Sequence, residues 1–161
     1  MPTVDTKLPL RVAMEARDRR AVVETFAENA VFRSPLTDNL VFEGRKQLDA
    51  LIAVILEVLD DLTYTDELHG DGTVVLVGHA TVDGLALQFA DHIKLSEDGL
   101  IQEMTVFFRP LPATTAAMRR IGQGLGRSKS TLRARTISSM TAPMAFMTRT
   151  GDRIGVRLLK P

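Results

Sequence analysis

Residues 85–109 read LALQFADHIKLSEDGLIQEMTVFFR, and the reading of this stretch decides the fold. Two apolar-alternating runs flank Ser96-Glu97-Asp98-Gly99, where Asp-Gly supplies the positive φ of a tight turn at no steric cost, so the stretch predicts an antiparallel hairpin. Strand side chains alternate with period two, which puts Phe89, Asp91, Ile93 and Leu95 on one face. An aspartate thus stands among apolar neighbours. An unpartnered carboxylate is costly to bury, so Asp91 is expected to stay protonated, its pKa raised by desolvation. Two readings of it stay open here: a neutral acid that donates a hydrogen bond to a ligand, or a structural carboxyl satisfied by a backbone group or by water.

Upstream of the hairpin lie two further strand-like runs, Leu62 to His69 and Thr73 to Val82, with Gly70-Asp71-Gly72 and Asp83-Gly84 as turns. Before them, Leu48, Leu51, Ile52, Ile55, Leu56 and Leu59 recur at three- and four-residue steps and predict an amphipathic helix from Arg45 to Asp60. Leu36 to Phe42 reads as a loop, and Val31-Phe32-Arg33-Ser34 as a β-like run stopped by Pro35. Two short helices come first. One has Asp5 or Thr6 as cap and Pro9 in its opening turn; the other runs from Arg19 to Glu28 with Asp18 as cap. Past Pro110-Leu111-Pro112, Ala113 to Leu125 reads as a helix interrupted by Gly122 and Gly124. Helices followed by a run of antiparallel strands predict an α+β domain with helices packed on one face of the sheet.

At 161 residues, 45% hydrophobic and 25% charged, the chain suits one compact domain with a substantial core. The absence of cysteine excludes disulfides and thiolate metal sites, and His69, His79 and His92 show no His-x-x-x-His spacing, so no metal and no cofactor is expected. The N-terminal MPTVDTKLPL lacks a leader pattern, and no run approaches the ~20 apolar residues of a membrane span, which makes a cytoplasmic location the expectation.

The zero net charge conceals a split. Residues 1–110 hold 10 Lys and Arg against 19 Asp and Glu, whereas residues 111–161 hold 10 against 1. The chain therefore divides into a domain at 1–126 and a basic, Met-rich extension at 127–161 with Arg127, Lys129, Arg133, Arg135, Met140, Met144 and Met147. Such a tail can dock on its own acidic domain or across a dimer, grip a protein partner, or make peripheral contact with an anionic membrane. Docking is favoured over membrane contact, and without a recognisable nucleic-acid module no nucleic acid is expected.

Taken in order, two short helices, the strand VFRSP, a loop to FEGR, a long amphipathic helix and strands ending in DGLIQEMTVFFRPLP resemble the nuclear transport factor 2-like superfamily. The resemblance is to its branch of ketosteroid isomerases and SnoaL-like polyketide cyclases, over roughly residues 8–112. It implies a cone-shaped, curved antiparallel sheet wrapped around the N-terminal helices, the cystatin-like arrangement, with an apolar cavity for the substrate. It constrains function less, because this superfold hosts isomerases, cyclases, epoxide hydrolases, dehydratases and non-catalytic binders. Its register puts Asp91 where the isomerases keep a protonated aspartic acid. Leu10 stands at their tyrosine and Ser34 at their general base. Leucine donates no hydrogen bond and serine is a poor base without an activating partner, so ordinary ketosteroid isomerase activity is not expected.

The same register surrounds Asp91 with Leu10, Met14, Phe32, Ser34, Leu51, Ile55, Leu76, Phe89, Ile93, Met104, Val106 and Phe108 as cavity lining. His79 and His92 fall out of phase with this set, on the face that commonly makes the dimer in the superfamily. Only a β-bulge would turn His92 inward, where it would form an acid–base pair with Asp91. Arg33 and Arg109 read as salt-bridge or interface residues and Asp38 and His69 as solvated, while Tyr64, of open strand register, either packs or points its hydroxyl at the cavity, packing being favoured. The functional expectation is a homodimer binding a small hydrophobic carbonyl compound. Asp91 would be the hydrogen-bond donor or acid, with chemistry limited to cofactor-independent proton transfer of the isomerase or cyclase kind. The alternative is a non-catalytic binding or assembly domain that engages a protein or membrane through the sheet face and the basic tail.

Overall fold

The computed structural model describes residues 7–127; the expectations for Asp5, Thr6 and the extension from 128 onward lie outside the described residues. Helix α1 (Pro9–Glu15) starts with Leu8 in the capping position and no side-chain cap. Instead the Leu8 N–H donates to Glu67 Oε1 at 2.8 Å, far along the chain. Helix α2 (Arg19–Glu24) is capped as expected by Asp18, whose carboxylate accepts from the Ala21 N–H at 3.0 Å.

The helical reading to Glu28 is overturned. Strand β1 (Phe26–Arg33) begins directly after α2, with Phe26 fully buried and paired in parallel with Ile101. Burial and sheet pairing outweigh a helical spacing sustained for so few residues. The expected loop from Leu36 ends early as well, because Val41–Glu43 forms β2 against β1. Phe42 pairs with Phe32 there, their rings meeting edge to face at 6.0 Å.

Helix α3 (Gly44–Val58) buries Leu48, Leu51, Ile52, Val54 and Val58, and Asp60 belongs to the next strand rather than to the helix. Strands β3 (Asp60–His69), β4 (Thr73–Val82), β5 (Leu85–Leu95) and β6 (Ile101–Arg109) follow as a meander. Asp83 and Gly84, at φ 50° and 71°, make the two-residue turn that matches strand twist between β4 and β5. Helix α4 (Leu111–Arg127) runs through Gly122 and Gly124 without a break. A Cβ on Gly124 would collide with the Val54 side chain, so glycine there lets α4 lie close on α3.

The sheet order is β2-β1-β6-β5-β4-β3. Its neighbours are antiparallel except β1 and β6, which are parallel, so the sheet is mixed where a wholly antiparallel one was expected. The cause is where the chain enters: β1 leaves α2 at the end where β6 leaves its turn, and the Ile101 N–H bonds Thr25 O at 2.9 Å. The buried faces of the helices join the inner face of β4, β5 and β6 in one core. Among the described residues no helix is long and apolar enough to cross a membrane.

Candidate functional site

On β5 the inner face reads Leu87, Phe89, Asp91 and Ile93, all buried, with Asp91 only 3% exposed. Register places Leu76 of β4 and Val106 of β6 beside it, so the carboxyl is held between apolar side chains on both flanks. In front of it is a cavity of about 50 Å³. Its walls are Leu10 and Met14 of α1, Phe26 and Phe32 of β1, Ile52, Ile55 and Leu59 of α3, Leu62 and Tyr64 of β3, Phe89, Met104, Val106 and Phe108.

Four expected wall residues are elsewhere. Leu51, Leu76 and Ile93 pack into the solid core, each no more than 3% exposed. The Ser34 hydroxyl accepts from the Leu36 N–H at 3.1 Å and serves the turn after β1. Sequence reasoning in turn missed Phe26, taken as helical, together with Ile52, Leu59 and Leu62, and it left open whether the Tyr64 hydroxyl points into the cavity, which it does. The helical spacing that marked Leu51 and Ile55 also contained Ile52 and Leu59, so a signal for those two was present.

Tyr64 is the consequential one. It is 3% exposed, and its hydroxyl donates to Asp91 Oδ2 at 3.4 Å. The packing role expected for it is met too: its ring stands edge to face against Phe89 at 5.3 Å. Gly78 pairs with both residues across the sheet, and a Cβ there would lie 2.6 Å from Phe89 Cζ and 2.5 Å from the Thr63 carbonyl oxygen. Glycine lets the Phe89 ring lie low over this position, and the Tyr64 ring stands edge to face against it.

The electrostatics follow from this enclosure. Burial pushes the Asp91 carboxyl up to about 7, opposed only by the Tyr64 hydrogen bond. The Tyr64 phenol is raised well above its ordinary value, first by burial and then by the adjacent carboxylate. A separation of 3.4 Å is long for an O–H···O bond, whose usual length is about 2.7–2.8 Å. The pair is in contact without being saturated.

The remaining candidates lie apart from this pair. His92 is half-buried on the outer face, paired with Val75 and Thr105, and the β4–β5 ladder carries no register shift, so the inward pairing with Asp91 falls. His79 is exposed, and His69 contacts Glu67 Oε1 at 2.9 Å from a largely exposed ring. Arg33 and Lys94 reach Glu103 at 3.6 and 3.2 Å, giving the expected salt bridge on the outer face. Arg109 and Asp38 are exposed. Among the described residues no group of His, Asp and Glu has the arrangement of a metal site.

A mixed sheet with helices on one face and a carboxyl set into an apolar cavity defines the nuclear transport factor 2-like class, in its ketosteroid isomerase-like form. Residues 10–104 match the SnoaL-like domain, and the chain belongs to that family. A steroid delta-isomerase from Pseudomonas aeruginosa is similar, with 27% identity and a TM-score of 0.63 over 76% of this chain and 88% of that one. A bacterial protein with a cystatin-like fold from Silicibacter pomeroyi has 21% identity and a TM-score of 0.68, over 84% and 96% of the two chains. An epoxide hydrolase/cyclase-like enzyme of pyran ring formation in salinomycin has 21% identity and a TM-score of 0.53, over 62% and 84%. No curated protein matches the sequence.

Proposed function

We propose that the cavity receives the oxygen-bearing end of a small hydrophobic carbonyl compound, with Asp91 and Tyr64 as its two hydrogen-bond donors. The observation that carries this reading is a buried carboxyl on an apolar cavity whose sole side-chain partner among the described residues is a phenol at 3.4 Å. An oxygen entering between them can accept from both. At about 50 Å³ the cavity is far below the ~300–1,000 Å³ of a drug-sized pocket, so only the functional end enters. The rest of the ligand would lie against the partly exposed Ile55, Leu62 and Phe108.

A carboxyl titrating near 7 can give a proton to an enolate oxygen and take it back at neutral pH. That supports isomerase- or cyclase-type proton transfer with no cofactor. Leu10 and Ser34 leave the isomerase tyrosine and base unreplaced at their own positions, and Tyr64 supplies a second donor from a different strand. The test is binding of small cyclic enones, followed by emission of Tyr64, the sole tyrosine in a chain without tryptophan. Affinity should fall at least several-fold between about pH 5 and about pH 9, as Asp91 loses its proton, and Asp91→Asn should abolish that pH dependence. Binding indifferent to both pH and substitution would overturn the reading.

We also infer that the outer sheet face pairs two copies of the chain. Phe107 is 58% exposed there, beside the half-buried Val75, Val77 and Ala90. Sedimentation should show a dimer that Phe107→Glu converts to monomer. A wild-type monomer at high concentration would dismiss it. The non-catalytic alternative uses this same face, and its second element, the basic tail, lies outside the described residues.

A further inference from the structure

Tyr64 sits where strand β3 is irregular. The register runs Tyr64 against Gly78 and then Asp66 against Val77, which leaves Thr65 as an extra, bulged residue. Beyond it the alternation inverts: the Glu67 side chain is 9% exposed, whereas Leu68 is 61% exposed. Among the described residues β3 is also the last strand of the sheet, so its outer main-chain groups face no neighbouring strand there. At such a position the ladder alone does not determine where the side chain points.

Helix α1 supplies the missing constraint. The Arg11 guanidinium donates from Nη2 to the Tyr64 carbonyl oxygen at 2.8 Å, and the Tyr64 N–H donates to Glu15 Oε1 at 3.1 Å. Both main-chain groups of one residue are thus held by side chains one helical turn apart, themselves 3.6 Å from each other. Leu10 and Met14, also one turn apart on α1, form cavity wall, so one helix carries both wall and clamp. The charged groups facing Tyr64 are Asp91 of β5 and Arg11 and Glu15 of α1.

We propose that Arg11 and Glu15 are positioning residues that aim the Tyr64 phenol at Asp91, a role that rests on the donor pair described above. Without the clamp the bulged edge relaxes, the phenol leaves the carboxyl, and Asp91 holds its proton to higher pH. Arg11 also contacts Glu67, so its removal threatens the fold; Glu15 is exposed and carries the test.

The experiment follows the Asp91 carboxyl carbon by NMR through a pH titration of the ligand-free protein. Tyr64→Phe marks complete loss of the phenol. Glu15→Ala is expected to move the Asp91 midpoint upward by about half a pH unit or more, towards the Tyr64→Phe value. Glu15→Gln removes the charge, keeps the acceptor, and should titrate as the wild type does. A folded Glu15→Ala protein with an unmoved midpoint, when Tyr64→Phe does move it, overturns the positioning role and leaves the pair intact. A Tyr64→Phe protein with an unmoved midpoint removes the pair itself, and the positioning role with it.

Discussion

Glu67 and Asp91 both turn a carboxyl group inward in this domain, and the two are treated in opposite ways. Glu67 receives the Leu8 N–H at 2.8 Å, contacts the His69 ring at 2.9 Å and faces the Arg11 guanidinium at 3.6 Å, so it ties α1 to the edge of the sheet. Asp91, on the inner face of β5, has only the phenol at 3.4 Å among the described residues. The acid that serves architecture gathers the Leu8 N–H and the His69 ring on Oε1 and faces a cation from Oε2, which itself makes no hydrogen bond. One kept short of partners costs stability, and that cost is what makes it available to a ligand.

The difference can be broken with one substitution on each side. Asp91 is raised in the folded state from 3.8 to about 7, so the folded protein binds a proton that the unfolded chain releases between those values. The contribution of this carboxyl to stability is therefore greatest below about pH 4 and declines until about pH 7, by on the order of 4 kcal/mol. Asp91→Asn should abolish that decline, and its stability relative to wild type should rise by a similar amount from acid to alkaline pH in urea unfolding. On the Glu67 side the sign reverses. Arg11→Met strands a largely buried carboxylate and should lower stability by about 3 kcal/mol at neutral pH. If both variants moved the same way at pH 8, the distinction between the two acids would be lost.

The legibility of the two regions differs for the same physical reason. Regular alternation made β5 readable: the period-two pattern, the Asp-Gly turn and an unbroken ladder to β4 put Asp91 inside and His92 outside, where the structure has them. Strand β3 defeats that reading, because strict alternation from Leu62 and Tyr64 points Leu68 inward, and the extra Thr65 places Glu67 there instead. Nothing in the residues flanking Tyr64 announces the bulge. Phe26 was hidden similarly, since a short helical spacing and a strand start look alike until Ile101 is known to lie beside it. The fold was thus open to a reader of periodicity. The carboxyl was too, while the phenol that completes the candidate site depended on a contact between distant segments.

The smallest expected effect is also the most specific. Tyr64→Phe keeps the ring on Phe89 and deletes only the hydroxyl, whose 3.4 Å bond is long enough that its loss should cost no more than about 1 kcal/mol. Its signature is in titration. The phenol is the one influence that lowers the Asp91 pKa, so without it the carboxyl should titrate above about 7. The folded pKa then lies further above the unfolded one, and the decline in stability should continue to higher pH before levelling off. Urea unfolding across that range, beside the carboxyl titration, separates this outcome from simple loss of packing, which would lower stability equally at every pH. A uniform loss would make Tyr64 a core aromatic and nothing more, and Asp91 would then differ from Glu67 only in having fewer neighbours.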